Sequence, residues 1–262
     1  MASPENPIFV EAPPPAPPAR DPIWTGRDVV ALVLIAVFAL IFCAAVIGVY
    51  VATFYPKQKP EEVAGMPAIS VLAQTVTSAL VIAAMYWMVV RRYHSRFWSA
   101  LRWSWPTHQH ALVCACGGVT IALLVDLTSS LAPMPKSLPI YKLFGTTASA
   151  YALAAYGILL APLVEELFFR GFLYPVLARR LGLPAAVLLT SFAFMLIHIS
   201  QLAGAWLPLL ILFCVGTIFT LARAWTGSVA VPFVIHTFYN VTLFAGLFFS
   251  TGYFQHMERM TQ

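Results

Sequence analysis

From residue 29 onward the chain is a succession of apolar runs separated by short segments rich in Arg, Pro, Gly and other polar residues. The runs cover residues 29–54, 68–90, 111–131, 151–174, 185–200, 207–224 and 229–250, each close to the roughly 20 residues a helix needs to cross a bilayer. The pattern predicts an all-α fold, a polytopic transmembrane helical bundle of seven spans. Pro162 lies inside the fourth run, where it removes a backbone donor and disturbs the preceding turn. A break there would raise the count to eight. The first 27 residues depart from the pattern: "PENPIFVEAPPPAPPARDP" is dense in proline, cannot build a packed core, and reads as a disordered or extended tail. The transmembrane domain is then expected over residues 28–262. Its first run begins too late and is too long for a signal-peptide core, so it is expected to remain as a span.

Composition agrees with this reading. Of 262 residues 60% are hydrophobic and only 10% charged, with a mean hydropathy of +0.82, which excludes an ordinary soluble protein. Seven spans with the N-terminus inside place Arg20, Arg27, Arg91, Arg92, Arg96, Arg102, Arg179, Arg180 and Arg223 on the cytoplasmic side. Lys57, Lys59, Lys136, Lys142 and Arg259 then fall outside, an asymmetry that satisfies the positive-inside rule. The short chain and the absence of obvious eukaryotic retention signals lead to the expectation of a bacterial cytoplasmic membrane. "RRYHSRFWSALRW", after the second run, interleaves arginine with Tyr93, Phe97, Trp98, Trp103 and Trp105, as a segment lying on membrane lipids would. The sequence pI of about 9.1 is mostly this topological arginine, and no nucleic-acid partner is inferred from it. Cys43, Cys114, Cys116 and Cys214 fall inside apolar runs without metal or redox spacing and read as packing residues.

"VEELFFRGF", residues 164–172, puts three charges into the fourth run. Left ionised and unpaired, Glu165, Glu166 and Arg170 would cost on the order of 8 kcal/mol on insertion scales, cancelling most of what the span gains. Glu166 and Arg170 stand at i, i+4 with the acid first, the favourable order for an ion pair. Glu165 lies about 100° around the helix and is left to face something else. Two later runs offer partners: Phe194 and His198 share a face in "FMLIH", and His236 and Asn240 share one in "HTFYN". With a rise of 1.5 Å per residue from the cytoplasmic edges, Glu165 and His198 lie about 21 Å inward, His236 about 14 Å and Asn240 about 20 Å.

These three motifs, in this order over about 76 residues, resemble the CPBP family of CAAX prenyl proteases and bacteriocin-processing intramembrane enzymes, also called the ABI family. The resemblance covers roughly the C-terminal half. It implies a helical intramembrane endopeptidase with its catalytic core at about 149–250, Glu165 as base, and His198, His236 and Asn240 completing the site. Peptide hydrolysis needs a deprotonated water and donors aimed at the developing oxyanion. Glu165 helped by His198 would supply the first, His236 and Asn240 the second. Glu166 with Arg170 and Phe194 would hold the helices in register, although Glu166 is also kept as a catalytic candidate. No hydroxyl or thiol beside a histidine suggests a covalent intermediate.

The cofactor stays open. Glu165, His198 and His236 are competent ligands for a divalent metal such as zinc, but no His-Glu-x-x-His signature is present, and a metal-free, glutamate-activated water fits equally. The substrate is expected to be a peptide or protein, with lipidation undetermined. Two other classes fit parts of the pattern: a proton-coupled transporter, which also carries intramembrane Glu, His and Arg, and a non-catalytic membrane scaffold. Asp126 in the third run is an ionisable intramembrane residue and so a further candidate. His94, His108 and His110 read as surface residues.

Overall fold

The computed structural model describes residues 22–57, 66–131 and 138–256. The tail residues 1–21, including Arg20, and the loop and terminal cations Lys59, Lys136 and Arg259 lie outside them. Eight α-helical elements and one 3-10 helix, Pro139–Phe144, occur among the described residues, and no strand: α1 Gly26–Phe54, α2 Pro67–Arg92, α3 Phe97–Ala100, α4 His108–Leu131, α5 Thr147–Leu181, α6 Leu183–Leu196, α7 Trp206–Thr226 and α8 Ala230–Ser250. Of the α elements, all but α6 and the one-turn α3 are long and apolar enough to cross a membrane. The protein is an integral multi-pass membrane protein. The fifth apolar run also forms a helix, but α6 has only 14 residues. Large apolar side chains such as Leu34 and Phe38 of α1 point outward, as lipid-solvated positions do.

Pro162 creates no additional span, because α5 runs through it. The helix absorbs the proline by widening, with an i→i+5 hydrogen-bond register over Tyr156–Leu160 and again over Leu167–Leu173. Such widened turns inside α-helices concentrate at functional sites. Glu165 and Glu166 lie on the short α-helical stretch between them, Ala161–Glu166.

α5 is the hub of the bundle and packs on α1, α2, α6 and α8. α8 is held against α4 at Gly118, where a Cβ would collide with the Ile235 carbonyl and the Tyr239 amide, so only glycine allows this approach. α6 and α7 form another closely packed pair.

The folded region begins earlier than the proline-rich composition suggests. Trp24, placed in the tail by composition, is fully buried, stacks on Phe172 at 4.4 Å, and donates its indole N–H to the Phe172 carbonyl at 3.0 Å. Arg179 donates to the carbonyls of Pro22 (2.6 Å) and Trp24 (3.1 Å), fixing the approach to α1. Thr25 caps α1 with Asp28 in a reciprocal box, and the buried Asp28 carboxylate also takes the Tyr93 hydroxyl (2.6 Å) and pairs with Arg92 (2.9 Å). The end of α2 is thereby tied to the start of α1.

Candidate active site

The charges of α5 are resolved inside the protein. Glu166 and Arg170 are both completely buried, and the Arg170 Nη1 donates to Glu166 Oε1 at 2.9 Å, as their spacing predicts. The guanidinium uses its other edges on α7: Nη2 donates to the Gly216 carbonyl at 2.9 Å and Nε to the Thr220 hydroxyl at 3.3 Å. Its carbon lies 4.7 Å from the Phe194 ring centre and 5.4 Å from that of Phe219. A planar, five-donor cation in an aromatic box suits a buried ion pair far better than a lysine would.

His236 of α8 joins this pair to Glu165. Its Nδ1 lies 2.9 Å from Glu166 Oε1, and since an ionised carboxylate only accepts, Nδ1 carries the proton and donates. The opposite nitrogen, Nε2, faces Glu165 Oε2 at 3.8 Å. Glu165 is the more open of the two acids, with 18% of its side chain exposed against none of Glu166. The two adjacent acids therefore play different parts: one is locked between Arg170 and His236, the other stands free at the mouth of the cluster. The 3.8 Å separation lets one water molecule reach Glu165 and His236 Nε2 together.

Asn240, one turn beyond His236, is placed by the widened helix. The Ala161 N–H bonds to the Tyr156 carbonyl, five residues back, so the next donor in that register belongs to position 162. That position is proline and has no N–H. The Gly157 carbonyl is left without its ladder partner, and the Asn240 side-chain amide donates to it at 2.6 Å. One amide hydrogen of Asn240 is thus committed to α5, and the other is left for a ligand. Gly157 also admits the α8 side chain Phe244, whose ring carbon would lie 2.6 Å from a Cβ at that position.

His198 lies two residues past the end of α6, half-buried. Its Nδ1 donates to the Phe194 carbonyl at 2.9 Å, which fixes the ring and leaves Nε2 for water or substrate. It makes no hydrogen bond to Glu165 among the described residues. Phe194 links the parts: its ring centre is 5.0 Å from that of His198 and 6.0 Å from that of His236, beside the Arg170 guanidinium. Glu165, Glu166, Arg170, Phe194 and His236 therefore converge, whereas His198 and Asn240 flank them.

Among the described residues no three His, Cys, Asp or Glu side chains come together as a metal-binding group. As placed, Glu165, His198 and His236 are not gathered into such a group, although each imidazole uses Nδ1 on a protein acceptor and keeps Nε2 open. Asp126 is exposed on α4 and has no part in the cluster. His94, His108 and His110 are exposed as expected. Of the cysteines, Cys43 is buried, whereas Cys116 and Cys214 are exposed on the bundle surface rather than packed inside it. Sequence reasoning missed the supporting residues Thr220, Gly216, Gly157 and Phe219. A proline in the middle of a span was the available signal for Gly157, since it leaves a carbonyl in need of a donor.

An all-helical, multi-pass bundle with a Glu–Arg–His cluster buried between its spans defines the class. Residues 147–242, which contain all three motifs, match the family described as type II CAAX prenyl endopeptidase Rce1-like. The match bears out the resemblance read from those motifs, and over this segment the chain is CAAX-protease-like. No curated protein and no solved structure matches the chain.

Proposed function

We propose that the protein is an intramembrane endopeptidase that hydrolyses a peptide bond with a water deprotonated by Glu165. The observation that carries this reading is the pairing of a free carboxylate with an oriented imidazole nitrogen, Glu165 Oε2 and His236 Nε2, 3.8 Å apart. When His236 Nε2 carries a proton it is a donor, and it stabilises the oxygen of the tetrahedral intermediate together with the second amide hydrogen of Asn240. His198, with Nδ1 on the Phe194 carbonyl, presents Nε2 as an acceptor that assists Glu165 in taking the water proton. Glu166 and Arg170 keep the His236 ring in place throughout. No step runs through a metal.

The substrate class that fits the family match is a membrane-presented peptide with a CAAX C-terminus, prenylated at its cysteine. The test is cleavage of a fluorogenic farnesylated CAAX peptide by protein purified into lipid. Glu165→Gln preserves size and removes the charge, and should lower kcat about 10² to 10⁴-fold, the range for losing a general base. Near-normal activity in this variant would remove Glu165 from the mechanism. A chelator should leave the wild type active. Stoichiometric metal that is lost in His236→Ala would instead make His236 a ligand.

A further inference from the structure

The proline device seen at Gly157 recurs on the other side of the catalytic carboxylates. In the second widened segment the Tyr174 N–H bonds to the Phe169 carbonyl, again five residues back. The next donor in that register would serve the Arg170 carbonyl and belongs to position 175, which is also proline. That carbonyl accepts from a side chain on another helix: Arg223 Nε of α7, at 3.2 Å. Arg223 is itself buried at 5% exposure. Its guanidinium carbon lies 5.8 Å from the centre of the Tyr174 ring, which keeps the side chain over this turn. Two prolines, at 162 and 175, thus each leave a carbonyl bare five residues earlier, and a long-range side-chain donor fills each gap.

We infer that Arg223 is a positioning residue for the catalytic cluster, acting as the replacement backbone donor for Pro175. The residue whose carbonyl it holds is Arg170, whose side chain fixes Glu166 and, through it, the His236 ring. Arg223 therefore sets the rotation of the widened turn that aims the Arg170 guanidinium. By sequence it is one of the cytoplasmic-side arginines, and topology alone would account for its presence. The structure gives it a specific bond that a topological cation does not need. This role rests on the endopeptidase reading for its kinetic consequence, but not for its structural one.

The distinguishing test is rescue by a backbone donor. Arg223→Met removes the side-chain N–H, and Pro175→Ala in the same chain returns an N–H to the position that Pro175 vacates. With the farnesylated CAAX peptide as probe, Arg223→Met should lower kcat about tenfold with KM little changed, as loosening of a reacting geometry does. Arg223→Met/Pro175→Ala should recover most of that loss relative to Pro175→Ala alone. Imidazole ¹⁵N signals of His236, assigned by their loss in His236→Gln, should shift in Arg223→Met and return in the double variant, with no substrate present. If Arg223→Met does not accumulate, recovery of folded protein in the double variant reads the same pairing. Unchanged kcat and unchanged His236 signals in Arg223→Met would overturn the inference, as would a double variant no better than the single. Failure of the endopeptidase reading is visible separately, as a Glu165→Gln variant that cleaves normally or a wild type that does not cleave while the His236 signals still respond.

Discussion

Removing Arg170 tests whether the Glu166–Arg170 pair is support or chemistry. Arg170→Met fills much of the volume but deletes the 2.9 Å bond to Glu166 and the donors to Gly216 and Thr220. Glu166 is then a fully buried carboxylate whose one remaining partner is His236 Nδ1, because its Oε2 already has no hydrogen-bond partner. Breaking a buried pair on one side costs about 3–5 kcal/mol, most of it the uncompensated charge that stays behind. Loss of the cation from the Phe194 face belongs to the same perturbation and is not added separately. Glu166→Gln in the same chain removes that stranded charge, so the double variant should recover about 1–3 kcal/mol relative to Arg170→Met. The measurement is reversible unfolding in mixed micelles, followed by helicity, for wild type, both singles and the double. A fully stable Arg170→Met that no longer cleaves peptide would show that Arg170 contacts substrate or transition state. A double variant no more stable than the single would refute the stranded-charge argument itself.

Asn240→Ala should lower kcat about 10² to 10³-fold if its second amide hydrogen serves the oxyanion, and should also destabilise the fold by about 1–3 kcal/mol because the Gly157 carbonyl loses its donor. Adding Pro162→Ala returns a backbone N–H to Gly157 and should restore the stability but not the rate, and a double variant with recovered rate would make Asn240 purely structural. Gly118→Ala should cost about 1–3 kcal/mol and reduce activity, since the added methyl pushes α8, with His236, away from α4. Normal unfolding of that variant would contradict the close approach of the two helices.

How much of this was legible in the sequence depended on distance along the chain. The Glu166–Arg170 pair could be read because i, i+4 partners are fixed by helix geometry alone, and the separation of Glu165 from it followed from the same 100° step. The partner of Glu165 could not be read, because three helices carried polar groups at comparable depth and only packing decides which of them meet. The sequence offered both His198 and His236, and the bundle sets His236 beside Glu165 and leaves His198 past the end of α6. The widened turns of α5 were hidden for a different reason: a π register preserves the apolar composition of a span, and Pro162 shows only that the ladder is disturbed. Trp24 was concealed by its neighbours, since a proline-rich stretch reads as unpacked until one large side chain is found stacked on Phe172.

The shortness of α6 bears on how water, the second reactant, arrives. Fourteen residues at 1.5 Å each reach about 21 Å, against a hydrocarbon thickness of about 30 Å. Beyond Leu196 the chain continues in turns through Ala203 and Gly204, both at positive φ, before α7 begins at Trp206. Irregular backbone at membrane depth is tolerated only where protein or water solvates it. His198 stands at that junction, with its Nε2 uncommitted. If α6 crosses the bilayer beside its longer neighbours, the missing two turns of helix leave the backbone at His198 to be solvated by protein or by water, which would make this junction the entry point for the second reactant.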